Sequence, residues 1–308
     1  MSRIATVFLA TGVQGTSAVQ ALIKDGTFTP RAVTRNANSD AARALAALGA
    51  EVVEATYDDK EALKRAVTGA ECVFFVTKPT QGGVPELTQG MNIIDASKEA
   101  GVKFLAFSTL PSVKELSGGK HSSAMHFENK ALIQKYLESS GIACASICPG
   151  GFLENLTRGL LGCPFEETET AYIYNTYEPE GCRLIQTWIG RDMGLAVTAL
   201  FTQYDARAAE IDHQTFVLGS QRATTEEVAA ELAEGLGKPV EVRRRGKLEI
   251  PAVDDVFAAT VEFDWFPGVD IPDKRLEALG VQVGTIAEFA RTVLKSAPKG
   301  VTGELFKV

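Results

Sequence analysis

The sequence predicts an α/β protein, a doubly wound parallel sheet followed by a second, smaller α+β C-terminal domain. Three observations predict it: short apolar strands that alternate with helix-like stretches, a glycine-bearing turn directly after the first of those strands, and the failure of the alternation beyond Pro149. The chain has 308 residues, 45% of them hydrophobic and 23% charged, enough to bury one large core or one core with a smaller companion, and too apolar for a disordered chain.

The strands are expected at 4–9, 31–34, 51–54, 72–76, 103–108 and 143–147, short apolar segments that recur in a regular beat. Between them, Val19, Leu22 and Ile23, then Leu87, Met91 and Ile94, then Ile133 and Leu137 recur at helical spacing. Repeated βαβ units of this kind place helices on both faces of a parallel sheet. The domain so defined spans 1–150, with parts of 183–220 expected to complete it. The remainder, 151–308, is expected to be a smaller substrate or partner domain. Its first part, 150–181, is rich in Gly, Pro, Tyr and acidic residues without clear periodicity. Asp192 is expected to cap a helix over 193–201. Thr224 with Glu227, and Thr285 with Glu288, are capping-box pairs, and Gly237 before Pro239 ends the first of the two helices they start.

A formal charge of −8 and a pI near 5.1 argue against general attraction to nucleic acid or anionic membrane. The basic run Arg243, Arg244 and Arg245 reads as a solvated strand surface. Five scattered cysteines without a CxxC pair suggest neither a disulfide framework nor a metal site, and Cys144 and Cys148 read as small core side chains. No apolar run approaches the ~20 residues that span a bilayer, and the first strand begins by Ile4, so a soluble, cytoplasmic protein is expected.

The loop after the first strand runs Ala10, Thr11, Gly12, Val13, Gln14, Gly15 and opens a helix. Backbone N–H groups at a helix start favour a pyrophosphate; Gly12 lets the backbone approach it and Gly15 lets helix and strand pack closely. Leu9 stands where the dinucleotide fingerprint has its first glycine, and weaker or tilted cofactor binding is the expectation. After the second strand the chain offers Arg35 where a carboxylate would select NAD, which favours a 2′-phosphate and hence NADP(H).

With these stand Val33-Thr34-Arg35-Asn36, His126-Phe127-Glu128-Asn129-Lys130 and Pro149-Gly150-Gly151-Phe152-Leu153-Glu154-Asn155. Together the segments resemble the NmrA-like family of atypical short-chain dehydrogenase/reductases, over nearly the whole chain. The resemblance implies an NADP(H)-binding Rossmann domain facing a smaller C-terminal domain across a cleft. It implies that Thr77 and Lys78 line the adenosine side and that Phe152 and Asn155 border the nicotinamide. It also implies two modes of action, reduction of quinones or other carbonyl compounds, or redox sensing through a protein partner.

Short-chain dehydrogenases place a Tyr four residues before a Lys on one helix face; here that spacing gives His126 and Lys130. Lys130 suits the nicotinamide ribose, and His126 is either a proton donor or a helix-start residue bonded to backbone. Ser108 and Thr109 follow the fifth strand, where a hydroxyl orients substrate or caps the turn. Phe152, Tyr172, Tyr174, Tyr177, Phe263, Trp265 and Phe266 line a hydrophobic pocket or fill a core. Three functions stay open: an NADP(H)-dependent oxidoreductase acting on a small hydrophobic molecule, a non-enzymatic NADP(H)-responsive regulator of a protein partner, and a lyase, isomerase or cyclase that has lost hydride transfer.

Overall fold

The computed structural model describes residues 3–79, 83–159 and 163–296. Strands β1 (Ile4–Val7), β2 (Thr29–Thr34), β3 (Glu51–Glu54), β4 (Cys72–Phe75), β5 (Phe104–Ser108) and β6 (Ala143–Pro149) alternate with helices α1 (Val13–Asp25), α2 (Asp40–Ala47), α3 (Lys60–Val67), α4 (Glu86–Glu99), α5 (Val113–Leu116) and α6 (Met125–Glu138). Then come β7 (Gly151–Phe152), α7 (Asn155–Arg158), β8 (Phe165–Glu167), β9 (Tyr172–Thr176), β10 (Leu184–Thr187), α8 (Ile189–Gln203), α9 (Ala208–Ile211), β11 (Gln214–Leu218), β12 (Gln221–Ala223), α10 (Thr225–Leu236), β13 (Val240–Arg244), α11 (Pro251–Glu262), α12 (Lys274–Ala278) and α13 (Ile286–Thr292).

The central sheet has seven strands in the order β11-β6-β5-β4-β1-β2-β3, every pairing parallel. The chain winds outward from β1 to β3, then returns to start the other half at β4, so β1 and β4 are neighbours and a crevice opens beyond their C-terminal ends. One apolar core lies on the face covered by α1 and α8, around Val7, Leu22, Ile189 and Phe201. A second lies on the face covered by α3, α4 and α6, around Phe75, Leu63, Ile93 and Ile133. Helices α1 and α8 touch backbone to backbone: a Cβ on Gly194 would stand 2.2 Å from the Ser17 carbonyl oxygen. The Gly194 N–H donates to Ser17 Oγ at 2.9 Å.

Two three-stranded sheets, β12-β10-β7 and β13-β9-β8, carry the rest. Helices α10 and α13 pack there, through Leu232 and Phe289, in one core with Leu153 and Tyr174, and both begin with complete capping boxes, at Thr224/Glu227 and Thr285/Glu288. Arg243, Arg244 and Arg245 are paired with Glu166 and Glu226. Helix α11 is different: Ala259 is its one buried residue, its apolar side chains from Ala252 to Ala258 are half-covered, and Val261 is exposed.

Two local expectations differ. Strand β1 stops at Val7, because Leu9 turns the chain with a φ of +51°. Asp192 is not a cap: α8 starts three residues earlier, and the buried Asp192 carboxylate instead accepts from the Gly284 N–H at 3.0 Å and from Arg191 at 2.6 Å. The apolar run around Trp188 and Ile189 extends the helix past the position where an aspartate would start it.

Candidate functional site

The loop between β1 and α1 is built for close approach. Ala10 donates its N–H to the Val33 carbonyl at 3.1 Å, Gly12 to Leu9 at 2.9 Å, and the Thr16 hydroxyl ties to Ala10 at 3.0 Å. A Cβ on Gly15 would lie 2.3 Å from the Leu9 carbonyl oxygen, so only glycine lets α1 sit this close to the turn. Gly12 is the N-cap and contributes no side-chain bond, which leaves the first-turn N–H groups of Val13, Gln14 and Gly15 without helical carbonyl partners. Leu9 fits this turn by taking the left-handed backbone that glycine adopts without strain. Its Cγ lies 3.4 Å from the place a Gly12 Cβ would hold.

Beside the loop lies a cavity of about 370 Å³ lined by Leu9, Thr11, Arg35, Tyr57, Lys78 and Gln89, at the crevice between β1 and β4. Arg35 is exposed there, and its side chain makes no ion pair or hydrogen bond among the described residues. Lys78 is fixed by its backbone, whose N–H and carbonyl both bond to the Gln89 amide, at 3.4 and 3.1 Å.

Deeper in the crevice, Thr77, Glu86 and Lys130 form a buried cluster. Lys130 Nζ donates to the Thr77 carbonyl at 2.8 Å, to the Thr77 hydroxyl at 3.1 Å, and to Glu86 Oε1. All three ammonium protons are thereby used, and only 8% of Lys130 is exposed. Burial pulls the Lys130 pKa down, against the Glu86 charge and hydrogen bond that hold it up. The other Glu86 oxygen is buried without a partner. Glu86 is the residue that sequence reasoning missed. The available signal was its helical phase: it shares the buried stripe of Gln89, Gly90 and Ile93 on α4, and a carboxylate in a core stripe calls for a cation.

Ser108 does not face the crevice with a free hydroxyl. It is buried at the end of β5, and Oγ donates to Gln14 Oε1 at 2.7 Å, tying the glycine loop to the neighbouring strand. Thr109 is buried beside it. His126 sits in the first turn of α6, one turn before Lys130, and opens into a second cavity of about 360 Å³ together with Phe152, Asn155, Tyr174, Tyr177 and Glu178. Burial, and next the Lys130 charge, depress the His126 pKa, so the imidazole is neutral near pH 7. Glu178, on the same cavity, is pushed the opposite way by burial, while its hydrogen bond from the Thr225 hydroxyl at 2.7 Å pulls back. The Phe152–Asn155 loop is anchored by Glu154, whose carboxylate accepts the N–H groups of Ile189 and Gly190, at 3.2 and 2.7 Å, at the start of α8.

The sequence matches the NmrA-like family profile over residues 1–257. The chain belongs to the NmrA-like family. Among curated NmrA-like relatives it is 36% identical over 162 residues to the NmrA-like family domain-containing oxidoreductase lnaB of Aspergillus flavus, covering 50% of this chain and 48% of that one. It is 32% identical over 221 residues to the oxidoreductase malD of Malbranchea aurantiaca, covering 66% and 65%. The matched part thus spans about half the length of lnaB and about two thirds of malD. In structure, the chain superposes on NmrA, a negative transcriptional regulator in complex with NAD, with a TM-score of 0.81 at 17% identity, over 95% of both chains. It superposes on the NADPH-dependent quinone oxidoreductase QOR2 of Escherichia coli with a TM-score of 0.68 at 24% identity, over 94% of this chain and 99% of that one. The NmrA-like membership and the doubly wound fold therefore agree. No helix among the described residues is long and apolar enough to cross a membrane.

Proposed function

We propose that this NmrA-like chain is an NADP(H)-dependent oxidoreductase acting on a carbonyl, quinone or conjugated double bond of a small hydrophobic molecule. The observation that carries the reading is the juxtaposition along one crevice of an open phosphate loop, an unpaired Arg35, and an apolar cavity bearing His126. Curated relatives named as oxidoreductases, and QOR2 among the structural neighbours, support it.

The residues fit the nucleotide. The first-turn N–H groups of α1 suit the pyrophosphate, Arg35 the 2′-phosphate, Thr11, Thr77 and Lys78 the adenosine side, and Phe152 with Asn155 the nicotinamide side. When bound, NADPH supplies a hydride; reduction of a carbonyl then needs one proton at oxygen. His126 delivers it from its protonated fraction, which a depressed pKa keeps small at neutral pH, and Glu178, whose pKa burial raises, shares the cavity. Lys130 acts by position: its three bonds hold the end of β4, the start of α4 and the face of α6 in one arrangement.

A regulatory reading has its own support in the absent tyrosine and in Lys130 having no donor left for a ribose. It requires a protein partner whose affinity differs with and without cofactor. Titration with NADPH, NADP and NAD, followed by absorbance assays on a quinone and aldehyde panel, separates the two. Turnover supports the oxidoreductase; tight binding of NADPH with every substrate untouched refutes it.

A further inference from the structure

Helix α11 stands between two cavities. On one side is the His126 chamber; on the other is a larger one of about 520 Å³, reached past Phe127, Gly151, Leu184, Val256 and Phe257, which border both. The far wall of the larger chamber is apolar and aromatic, with Leu110, Phe263, Trp265 and Phe266. Its charged residues are already matched within the protein: Arg183 with Glu227, Arg222 with Asp264, and Glu262 with Lys120. An incoming molecule meets no free charge there, and an ionic group placed in it would be desolvated without a counter-ion. The indole N–H of Trp265 is buried without a hydrogen-bond partner among the described residues, while its ring lines the wall.

From this geometry we propose that the larger chamber is a distal substrate subsite and that the ligand is an uncharged, flat molecule of several rings. Its reacting end occupies the His126 chamber, and its remaining rings pass Phe127 and Phe257 into the second. This rests on the oxidoreductase reading for the reacting end; occupancy of the distal chamber is an independent property of the protein. A single-ring substrate fills the first chamber and leaves the second unused. The partial burial of α11 suits the passage, because a loosely packed wall admits a ligand without breaking a core.

The test fills the distal chamber alone. Leu110→Trp with Val261→Trp adds bulk at two residues that border it and not the His126 chamber, Val261 being largely exposed. The first readout is binding of the neutral probe N-phenyl-1-naphthylamine, followed by its own fluorescence, with thermal unfolding checked on both proteins. Saturable binding by the natural chain, weakened about tenfold or more in the filled variant while NADPH affinity holds, supports the subsite. No binding, or equal binding by both proteins, overturns it. The second readout compares 9,10-phenanthrenequinone with 1,4-benzoquinone as NADPH-dependent substrates. A KM raised about tenfold for the three-ring quinone alone supports the subsite, and equal effects on both overturn it. If neither quinone is turned over, the oxidoreductase reading fails and the probe alone decides the chamber.

Discussion

Replacing Leu9 by glycine separates what the first position of the loop does for folding from what it does for the nucleotide. A leucine held at a φ of +51° carries about 1–2 kcal/mol of backbone strain that glycine does not. Against that gain, glycine costs about 1 kcal/mol in unfolded-chain entropy. It also forfeits roughly 1 kcal/mol of apolar contact, since Leu9 is only partly buried against the core that includes Val7 and Ala10. Unfolding free energy therefore changes by no more than about 1 kcal/mol, measured by urea titration. Affinity moves further. The leucine side chain crowds the face of Gly12, the residue expected to admit the pyrophosphate, with Cγ and Cδ2 at 3.4 and 3.5 Å from the position of a Gly12 Cβ. Uncovering that face is expected to tighten NADPH binding about tenfold, or ~1.4 kcal/mol, read by isothermal calorimetry. Unchanged or weaker affinity would refute the crowding, and a stability loss above about 3 kcal/mol would show that Leu9 packing outweighs its strain.

Lys130→Met leaves Glu86 as an uncompensated buried charge and is expected to cost about 3–5 kcal/mol by urea unfolding. Adding Glu86→Leu should restore most of that loss, and failure to do so would show that the pair is not coupled. His126→Phe is expected to lower turnover about tenfold or more. If the imidazolium is the acid, wild-type kcat rises as pH falls, with its inflection below the ordinary histidine value of 6.5, because burial and Lys130 depress the group; a profile flat below neutrality contradicts the role. Asp192, raised by burial to about 6 from an ordinary 3.8, binds more protons in the native than in the unfolded state between those values. Its contribution to stability thus falls as pH rises from about 4 to about 6, by roughly 2 kcal/mol, and is flat above. Asp192→Asn should remove that slope, and an unchanged difference between pH 4 and pH 7 would count against it.

The large sheet was legible because its central strands are bare apolar runs, and because glycine and capping residues punctuate the helices that follow; six of its strands show in segments as short as Cys72–Phe75. The phosphate loop was legible for the same local reason, since Gly12 and Gly15 sit within eight residues of the strand they serve. What escaped is non-local. Glu86 and Lys130 are 44 positions apart, and neither residue type announces a buried partner. Ser108 reads as a free hydroxyl until Gln14, 94 positions away, is seen to take it. The second chamber depends on α11 lying against residues from β6, β7 and β10, a packing that no periodicity encodes.

The most direct test of hydride transfer at this crevice is the fate of an isotope. NADPH carrying deuterium at C4 of the nicotinamide, on the transferable face, should give a reduced product deuterated at the accepting carbon when an aldehyde is the substrate, and His126→Phe should slow its appearance. NADPH that binds the loop tightly yet passes no deuterium to any carbonyl substrate would contradict the assignment as an oxidoreductase.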